Sequence, residues 1–304
     1  MSPTLGSLDG RVAAAPISWG ICEVPGWGEV MPSERVLSEM HALGIPATEL
    51  GAPGFLPEDA ETLKTTLAAH DLGLVGGFVP LVLHDPAQRE DALRRATEVA
   101  ELFQAAGATM FVTALVQDYD WSKPIPLSAT DMQVVGEGLK QVGEVCAAHG
   151  LTQVLHPHVD TVVETKRDVD LALEHTDVLW CLDTGHLQIG GVDPVAFARE
   201  HAGRVGLVHL KDVDTATSAR VLSGELSLVE GVQAGMMRRL GDGEVAIADA
   251  VVALEEGGYR GWYALEQDTA LKALPGDGEG PVHDVEACLS YLADNVVPRL
   301  SATA

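Results

Sequence analysis

Four short apolar runs in the second half of the chain each end in a residue type that binds metal ions: His156, Asp183, His209 and Glu266. Each run is too short and too uniformly apolar for an amphipathic helix, and is typical of a strand buried on both faces. Parallel strands would bring the two imidazoles and two carboxylates to the same end of a sheet. The pattern therefore predicts an enzyme with one divalent cation, Mn or Co, with Zn, Fe or Mg as the alternatives.

Further polar residues follow these positions at short spacing. His158 lies two residues after the first histidine and Lys211 two residues after the second, so each shares that histidine's face of an extended segment. His158 is a candidate general base. Lys211 is either a solvated lysine paired with Asp212 or a cation that contacts substrate and stabilises an enolate. His186 lies three residues after the aspartate, across Gly185, which can allow a tight bend; we predict that it contacts substrate and protonates a departing hydroxyl.

Three residues at strand ends in the first half of the chain are candidate substrate contacts. Trp19 is either a core residue or an apolar wall for a sugar-like ring. Glu49 would be costly to bury unless it forms a hydrogen bond, and we favour substrate hydroxyls as its partners over a structural group. His84 either contacts substrate or caps the helix that follows it.

Strand-like and helix-like segments alternate along the whole chain, which predicts an α/β fold with parallel strands. Eight such units favour a single (β/α)8 TIM barrel domain over residues 1–304. A doubly wound open sheet is the rival, but no glycine-rich dinucleotide turn follows the first strand. The connection over residues 212–243 is the longest, and we expect an elaborated loop at the active face. The predicted strands are residues 12–17, 47–50, 74–79, 109–113, 153–156, 179–183, 206–209 and 262–266, and the predicted helices are residues 33–43, 60–70, 87–106, 128–148, 195–201, 247–256 and 282–295.

Composition narrows the class of partner. The formal net charge is −26, which disfavours nucleic acid and anionic membranes as partners. The four cysteines are scattered with no CxxC pair, and no signal peptide or membrane-spanning run is visible, so we expect a cytoplasmic protein. The expected partner is a small polyol or keto-sugar. Association into a homo-oligomer is left open.

The motifs around these residues resemble the xylose-isomerase-like TIM barrels, a superfamily of sugar isomerases and epimerases, inosose dehydratases and endonuclease IV-type DNA-repair enzymes. The resemblance runs from Pro16-Ile-Ser-Trp-Gly20 to the eighth strand, and it is most similar to the inosose dehydratase branch. It implies a divalent ion on His156, Asp183, His209 and Glu266. It also implies substrate contacts from Glu49, His186 and Lys211. The motifs that carry it are Leu-His156-Pro-His158, Leu-Asp183-Thr-Gly-His186, Val-His209-Leu-Lys211-Asp212 and Leu-Glu266-Gln-Asp268.

One departure from the family bears on the reaction. Ketose 3-epimerases carry a glutamate in the fifth-strand Leu-Glu-Pro motif, where this chain reads Leu-His156-Pro. A ligating histidine loses the free base function, which disfavours two-base epimerisation and favours a one-base elimination. We therefore expect dehydration of 2-keto-myo-inositol through an enolate, with Glu266 or His158 as the base. The alternatives are a keto-sugar isomerase, epimerase or related lyase, a nuclease, which the acidic surface disfavours, and a non-catalytic binding barrel.

Overall fold

Strands and helices alternate along residues 3–303, which are the residues that the computed structural model describes. The strands are β1 (Val12–Ala14), β2 (Ala47–Thr48), β3 (Gly73–Leu74), β4 (Phe78–Leu81), β5 (Met110–Leu115), β6 (Thr152–Leu155), β7 (Leu179–Asp183), β8 (Val205–Leu210), β9 (Asp212–Val213), β10 (Met237–Arg238) and β11 (Tyr263–Leu265). The helices are α1 (Ser33–Ala42), α2 (Ala60–Ala68), α3 (Arg89–Ala106), α4 (Ala129–Ala148), α5 (Lys166–His175), α6 (Thr184–Ile189), α7 (Pro194–His201), α8 (Thr215–Leu222), α9 (Leu228–Gln233), α10 (Ile247–Glu256), α11 (Pro281–Tyr291) and α12 (Val297–Thr303).

Nine of the strands form one parallel sheet in the order β3-β2-β1-β11-β8-β7-β6-β5-β4. The four strands whose ends carry the metal-type residues are neighbours in this order. The register aligns the ends of these strands. Asp183 on β7 lies opposite His209 on β8, and His209 lies opposite Ala264 on β11. This is the predicted TIM barrel, and the fold class is confirmed. That residues 1–304 form one domain stays a prediction, and residues 1, 2 and 304 lie outside the described residues.

The barrel closes through an interrupted third strand. The sequence predicted one strand over residues 74–79, whereas the structure divides it into β3 and β4 at the two ends of the sheet. The residues between them connect both neighbours: Val75 N–H donates to the Thr48 carbonyl at 2.9 Å, and the Gly77 carbonyl accepts from Val112 N–H at 3.1 Å. At Gly76 a Cβ atom would lie 2.2 Å from the Met110 carbonyl oxygen. A side chain there would hold the two strands apart, so glycine permits the closure.

Buried side chains fill two layers. The layer between the sheet and the helices is the larger, and α4 illustrates how the sequence builds it. A reciprocal capping box between Ser128 and Asp131 starts this helix, and Val135, Leu139 and Val142 recur at helical spacing on its buried face. The inner layer fills the barrel below its carboxyl ends, with Ala13, Ala47, Val75, Met110, Val112, Val154, Cys181, Leu207 and Ala264.

The long connection after β8 contains regular structure. It includes β9, α8, α9 and β10, with β10 pairing antiparallel to β9. Asp212, fully buried at the start of β9, fastens the far end of this excursion. Its carboxylate accepts the backbone N–H groups of Gly241 at 2.8 Å, Gly243 at 3.1 Å and Val245 at 2.9 Å. Asp212 therefore anchors a loop, and the interpretation that it pairs with Lys211 is wrong.

Two further observations describe the chain as a whole. Within residues 3–303 no helix combines the length and the apolar composition that crossing a bilayer requires. The four cysteines are free thiols, three of them buried and Cys22 half-buried.

Candidate metal centre and active site

The four residues predicted as metal ligands meet at the carboxyl end of the barrel. His156 directly follows β6, Asp183 ends β7, His209 is next to last in β8 and Glu266 directly follows β11. One donor atom from each lies within 4.8 Å of one donor atom from every other. The two histidines and the aspartate are at most 1% exposed, and the glutamate side chain is 12% exposed. The cluster is thus a buried set of two nitrogen and two oxygen donors.

The side chains of this cluster lie close together, but several of their polar atoms lack a hydrogen bond. His209 Nδ1 lies 2.6 Å from Glu266 Oε2 and 3.8 Å from Asp183 Oδ2, and His156 Nε2 lies 3.3 Å from the same aspartate oxygen. Even so, His156 Nδ1, His209 Nδ1 and Glu266 Oε2 are buried without an aligned hydrogen-bond partner. Unpartnered buried polar atoms are costly. A cation would satisfy converging donors of this kind, so the residues present fit a divalent ion.

Glu49 orients one of the candidate ligands. His209 Nε2 lies 2.9 Å from Glu49 Oε1, and because a carboxylate only accepts, the imidazole donates from this nitrogen. Its other nitrogen, Nδ1, therefore faces the two cluster carboxylates. Burial lowers the pKa of His209, but Cys181, Glu266 and Glu49 outweigh it and raise that pKa well above its usual value. The groups around this ring thus stabilise positive charge on it.

Asp183 has two tasks, one for each carboxylate oxygen. Oδ1 accepts the backbone N–H of His186 at 2.7 Å and so caps the amino end of α6. Oδ2 faces His156, His209 and Lys211. The helix cap therefore fixes the rotamer that directs the second oxygen into the cluster.

Lys211 is buried beside the cluster and is held by a carboxylate that sequence reasoning did not single out. Its Nζ donates to Asp268 Oδ1 at 2.6 Å and lies 3.4 Å from Glu266 Oε2. Burial lowers the pKa of Lys211, but Asp268, Glu266 and Asp183 outweigh it and raise that pKa above its usual value. Lys211 is thus positively charged in the resting protein. In the sequence, Asp268 appeared only within the Glu266-Gln-Asp268 motif, two residues after Glu266 and on the same face of an extended segment.

Thr184 and Gly185 determine how the backbone and the side chain of Lys211 pack against α6. Thr184 Oγ1 donates to the Lys211 carbonyl at 2.7 Å and accepts the Lys211 N–H at 2.9 Å. At Gly185 a Cβ atom would lie 2.6 Å from Lys211 Cγ. We expected this glycine to allow a tight bend, but it lies in α6, and close approach of the lysine stem is what requires it.

Two further histidines line the same space. The rings of His158 and His186 lie 3.8 Å apart between centroids, and Lys211 Nζ lies 2.9 Å from His186 Nε2. Burial, with the neighbouring His158 and Lys211, lowers the pKa of His186 well below its usual value. Burial, with His156 and Lys211, lowers the pKa of His158 to about 4. Both imidazoles are therefore neutral at pH 7, and His186 Nε2 accepts from the lysine.

Trp19 and His84 lie apart from this cluster. The Trp19 indole is fully buried and donates to Glu39 on α1 at 2.7 Å, which places it in the core. His84 Nε2 accepts from Gln117 at 3.2 Å, and Gln117 Oε1 accepts the N–H of Ile125. His84 thus supports the loop after β5. That either residue contacts substrate stays a prediction.

An aromatic pair borders the cluster where the sequence had suggested Trp19. The Phe78 ring makes edge-to-face contacts with the rings of His156 and His158, with centroids 5.7 and 5.8 Å away. Trp121, from the loop after β5, stacks on Phe78 at 6.3 Å and 15°. Trp121 has a positive φ of 58°, an uncommon conformation for a large residue. These two rings form an apolar wall beside the site.

The fold and the site together define an α/β barrel with a buried cluster of His, Asp and Glu side chains at its carboxyl end that could hold a cation. The model of the xylose isomerase-like TIM barrel family matches residues 23–287, and the chain belongs to this family.

Two curated relatives match most of the chain. It is 32% identical to the inosose dehydratase of Geobacillus kaustophilus (strain HTA426), over 86% of this chain and 89% of that protein. It is also 32% identical to the rhizopine catabolism protein MocC of Rhizobium meliloti, over 85% of this chain and 81% of that protein.

Solved structures share the fold at low identity. An L-ribulose 3-epimerase superposes with a TM-score of 0.69 at 16% identity, covering 97% of this chain and 98% of that one. The probable 3-DHS dehydratase AsbF of Bacillus anthracis superposes with a TM-score of 0.68 at 16% identity, covering 94% and 99%. At such identity these likenesses show the fold alone.

Proposed function

We propose that this protein is a divalent-metal-dependent lyase that removes water from a cyclic keto-polyol, with 2-keto-myo-inositol as the substrate. The observation that carries the proposal is the buried cluster of two imidazoles and two carboxylates with the Lys211 ammonium beside it. A fixed cation next to a metal site suits a reaction in which negative charge develops on a carbonyl oxygen. The name shared by several relatives, inosose dehydratase, supports the substrate.

The residues that would hold the ion are His156, Asp183, His209 and Glu266. Two nitrogen and two oxygen donors suit Mn²⁺ or Co²⁺, which are the ions we propose. When bound, the ion would supply Lewis-acid polarisation of the ketone. Glu49 would orient His209, and that it also contacts substrate hydroxyls stays a prediction.

His158 would take the proton from the carbon next to the ketone. Its Nδ1 lies 2.6 Å from the Val159 carbonyl, so this nitrogen donates and Nε2 carries the lone pair. Within residues 3–303, Nε2 has no hydrogen-bond partner. A base with a fixed tautomer and a free lone pair is ready to accept a proton. Glu266 is the alternative base, through its carboxylate oxygen that does not face His209.

Lys211 and His186 would complete the elimination. As His158 takes the proton, the C–H electrons form a carbon–carbon double bond, and the Lys211 ammonium stabilises the enolate oxygen. The enolate oxygen then re-forms the ketone, the double bond shifts to the α and β carbons, and the bond to the β-hydroxyl breaks. His186 would give this hydroxyl its N–H proton, so that it leaves as water, while His186 Nε2 takes a proton from Lys211 at 2.9 Å. Solvent then reprotonates the lysine, and His158 releases its proton to solvent. Because the α carbon also carries a hydroxyl, the product is an enol that tautomerises to a diketone.

Histidine at position 156 is the reason to prefer elimination over epimerisation. Epimerisation with two bases needs a proton acceptor on each face of the substrate. The His156 side chain is buried, and its Nε2 lies 3.3 Å from Asp183, within the ligand cluster. That leaves one assigned base, His158 or Glu266, which is what an elimination needs.

The experiment incubates the full chain with 2-keto-myo-inositol and either Mn²⁺ or Co²⁺, and follows the diketone by its ultraviolet absorbance. We expect turnover that depends on the ion and is lost in His156→Ala. His283→Ala changes an exposed histidine and serves as the matched control, with turnover unchanged. Recovered substrate that carries solvent deuterium, with no diketone formed, would contradict the lyase and favour an isomerase or epimerase. If the protein showed no turnover with either ion, the assignment of 2-keto-myo-inositol as its substrate would be wrong.

The cellular setting follows from the same proposal. A small polyol ketone would be the partner, and the net charge of −26 opposes nucleic acid. Four free thiols suit a reducing cytoplasm.

A further inference from the structure

Cys181 lies directly beneath the proposed metal centre. It precedes Asp183 by two residues on β7, so both side chains point into the barrel. Cys181 is fully buried, in the inner layer with Val154, Leu207 and Ala264. The lyase proposed above uses no thiol, and the family motifs quoted for this chain do not include this position.

The thiol shares two imidazoles with the proposed centre. Cys181 Sγ, one nitrogen of His156 and one nitrogen of His209 all lie within 4.8 Å of one another. Both histidines are 1% exposed, and the Nδ1 atom of each is buried without a hydrogen-bond partner. The rings therefore have donor capacity left for an ion. The two rings are shared by the carboxylates of Asp183 and Glu266 in one set and the thiol of Cys181 in the other.

We propose that His156, Cys181 and His209 form a second metal site that takes soft divalent ions, such as Zn²⁺ and Cd²⁺, in competition with the carboxylate-containing site. Thiolate and imidazole together select soft and borderline ions, whereas carboxylates suit harder ones such as Mn²⁺. On binding, a metal–sulfur bond forms, the S–H bond breaks, and the proton passes to solvent. Because the two imidazoles are common to both sets, one ion excludes the other.

This inference rests on the proposed function for its consequence. An ion held by the thiol would lie deeper in the barrel than one held by Asp183 and Glu266. It would keep both imidazoles from the ion that the reaction needs. The deeper site would thus make Zn²⁺ or Cd²⁺ an inhibitor of the Mn²⁺-loaded protein.

The test titrates Cd²⁺ into the full chain and records the ultraviolet charge-transfer absorbance of a cadmium–thiolate bond, which does not depend on activity. We expect the band in the wild type and its loss in Cys181→Ser and Cys181→Ala. The affinity for Cd²⁺ should fall at least about tenfold, the lower end of the loss seen when even an outer-shell partner is removed. Two substitutions are used because one of them alone could disturb the core, and circular dichroism checks that each variant is folded.

Two other cysteines serve as controls. Cys146→Ser changes an equally buried thiol on α4, outside the barrel, and Cys22→Ser changes the half-buried one. Both should keep the band. A band that persists in both Cys181 variants, or no band in the wild type, would overturn the inference. Mn²⁺ binding, followed by electron paramagnetic resonance, should be unchanged in Cys181→Ala. If the wild type did not bind Mn²⁺, that result would count against the proposed function and not against this inference.

Discussion

His209 and Glu49 are joined by a hydrogen bond of 2.9 Å between two buried side chains that lie 160 positions apart in the chain. The carboxylate holds the Nε2 proton of the imidazole and leaves Nδ1 for the cluster. A carboxylate that fixes the tautomer of a ligating histidine typically contributes to metal affinity without touching the ion.

Glu49→Gln should weaken the binding of Mn²⁺ about 10- to 100-fold, because an amide can also present an N–H group and no longer fixes the His209 tautomer. Isothermal titration calorimetry measures the affinity directly. Glu58→Gln, at an exposed position, is the control and should bind as the wild type does. Unchanged affinity in Glu49→Gln would show that Glu49 does not act through His209.

Asp268→Asn should lower kcat while leaving metal affinity nearly unchanged. Burial lowers the pKa of Lys211, and Asp268 is the largest of the influences that raise it. Without this carboxylate the ammonium loses its closest anchor, at 2.6 Å. Loss of one positioned donor typically costs about 10²- to 10³-fold in kcat, and we expect the lower part of that range. Lys211→Met should reach its upper part. Steady-state kinetics measures kcat, and calorimetry measures the affinity for the metal. A lower metal affinity with unchanged kcat would contradict the prediction.

Gly185→Ala should displace Lys211, since the new Cβ atom would lie 2.6 Å from Lys211 Cγ and 2.8 Å from its Cδ. Overpacking of a buried site costs about 1–3 kcal/mol in the free energy of unfolding, which chemical denaturation can measure. Turnover should fall with it. Gly203→Ala is the matched control, because no atom lies within 4 Å of its Cβ position. Equal behaviour of the two variants would refute the steric role of Gly185.

Glu164→Gln should stabilise the protein above pH 7 and have little effect near pH 4. Burial, followed by the nearby Asp160, raises the pKa of Glu164 from 4.5 to about 7. The folded state therefore binds this proton more tightly than the unfolded state, and stability falls as pH rises from 4.5 to 7. A neutral glutamine removes that penalty, by about 1–3 kcal/mol after allowance for partial exposure. Unfolding curves at both pH values, with the exposed Glu174→Gln as control, check the sign.

The sequence contained enough information to bring the four candidate metal ligands together. Each of the four candidate ligands lies at the carboxyl end of an apolar strand or directly after it, and the strands of an α/β barrel deliver their carboxyl ends to one face. The barrel supplies the convergence, so strand order alone brings His156, Asp183, His209 and Glu266 together. Lys211 and His186 come with them because they lie within three residues of a ligand.

The partners of these residues could not be predicted in the same way. Lys211 precedes Asp212 in sequence, yet its ammonium binds Asp268 in the segment after β11, and Asp212 binds the backbone of a distant loop. Trp19, like Glu49, follows a strand in the sequence, but its indole donates a hydrogen bond to Glu39 on α1. Local spacing fixes which face a side chain shares, whereas its partner depends on elements that meet only after folding.

The sequence by itself thus determined the α/β barrel and the residues at its strand ends, because apolar periodicity and strand polarity are local properties. Tertiary structure decided the closure at Gly76, the hydrogen bond between Glu49 and His209, and the position of Cys181 beneath the centre. Each of these depends on distances between segments that are far apart in the chain. Such distances are set by packing around the barrel, which no short motif encodes.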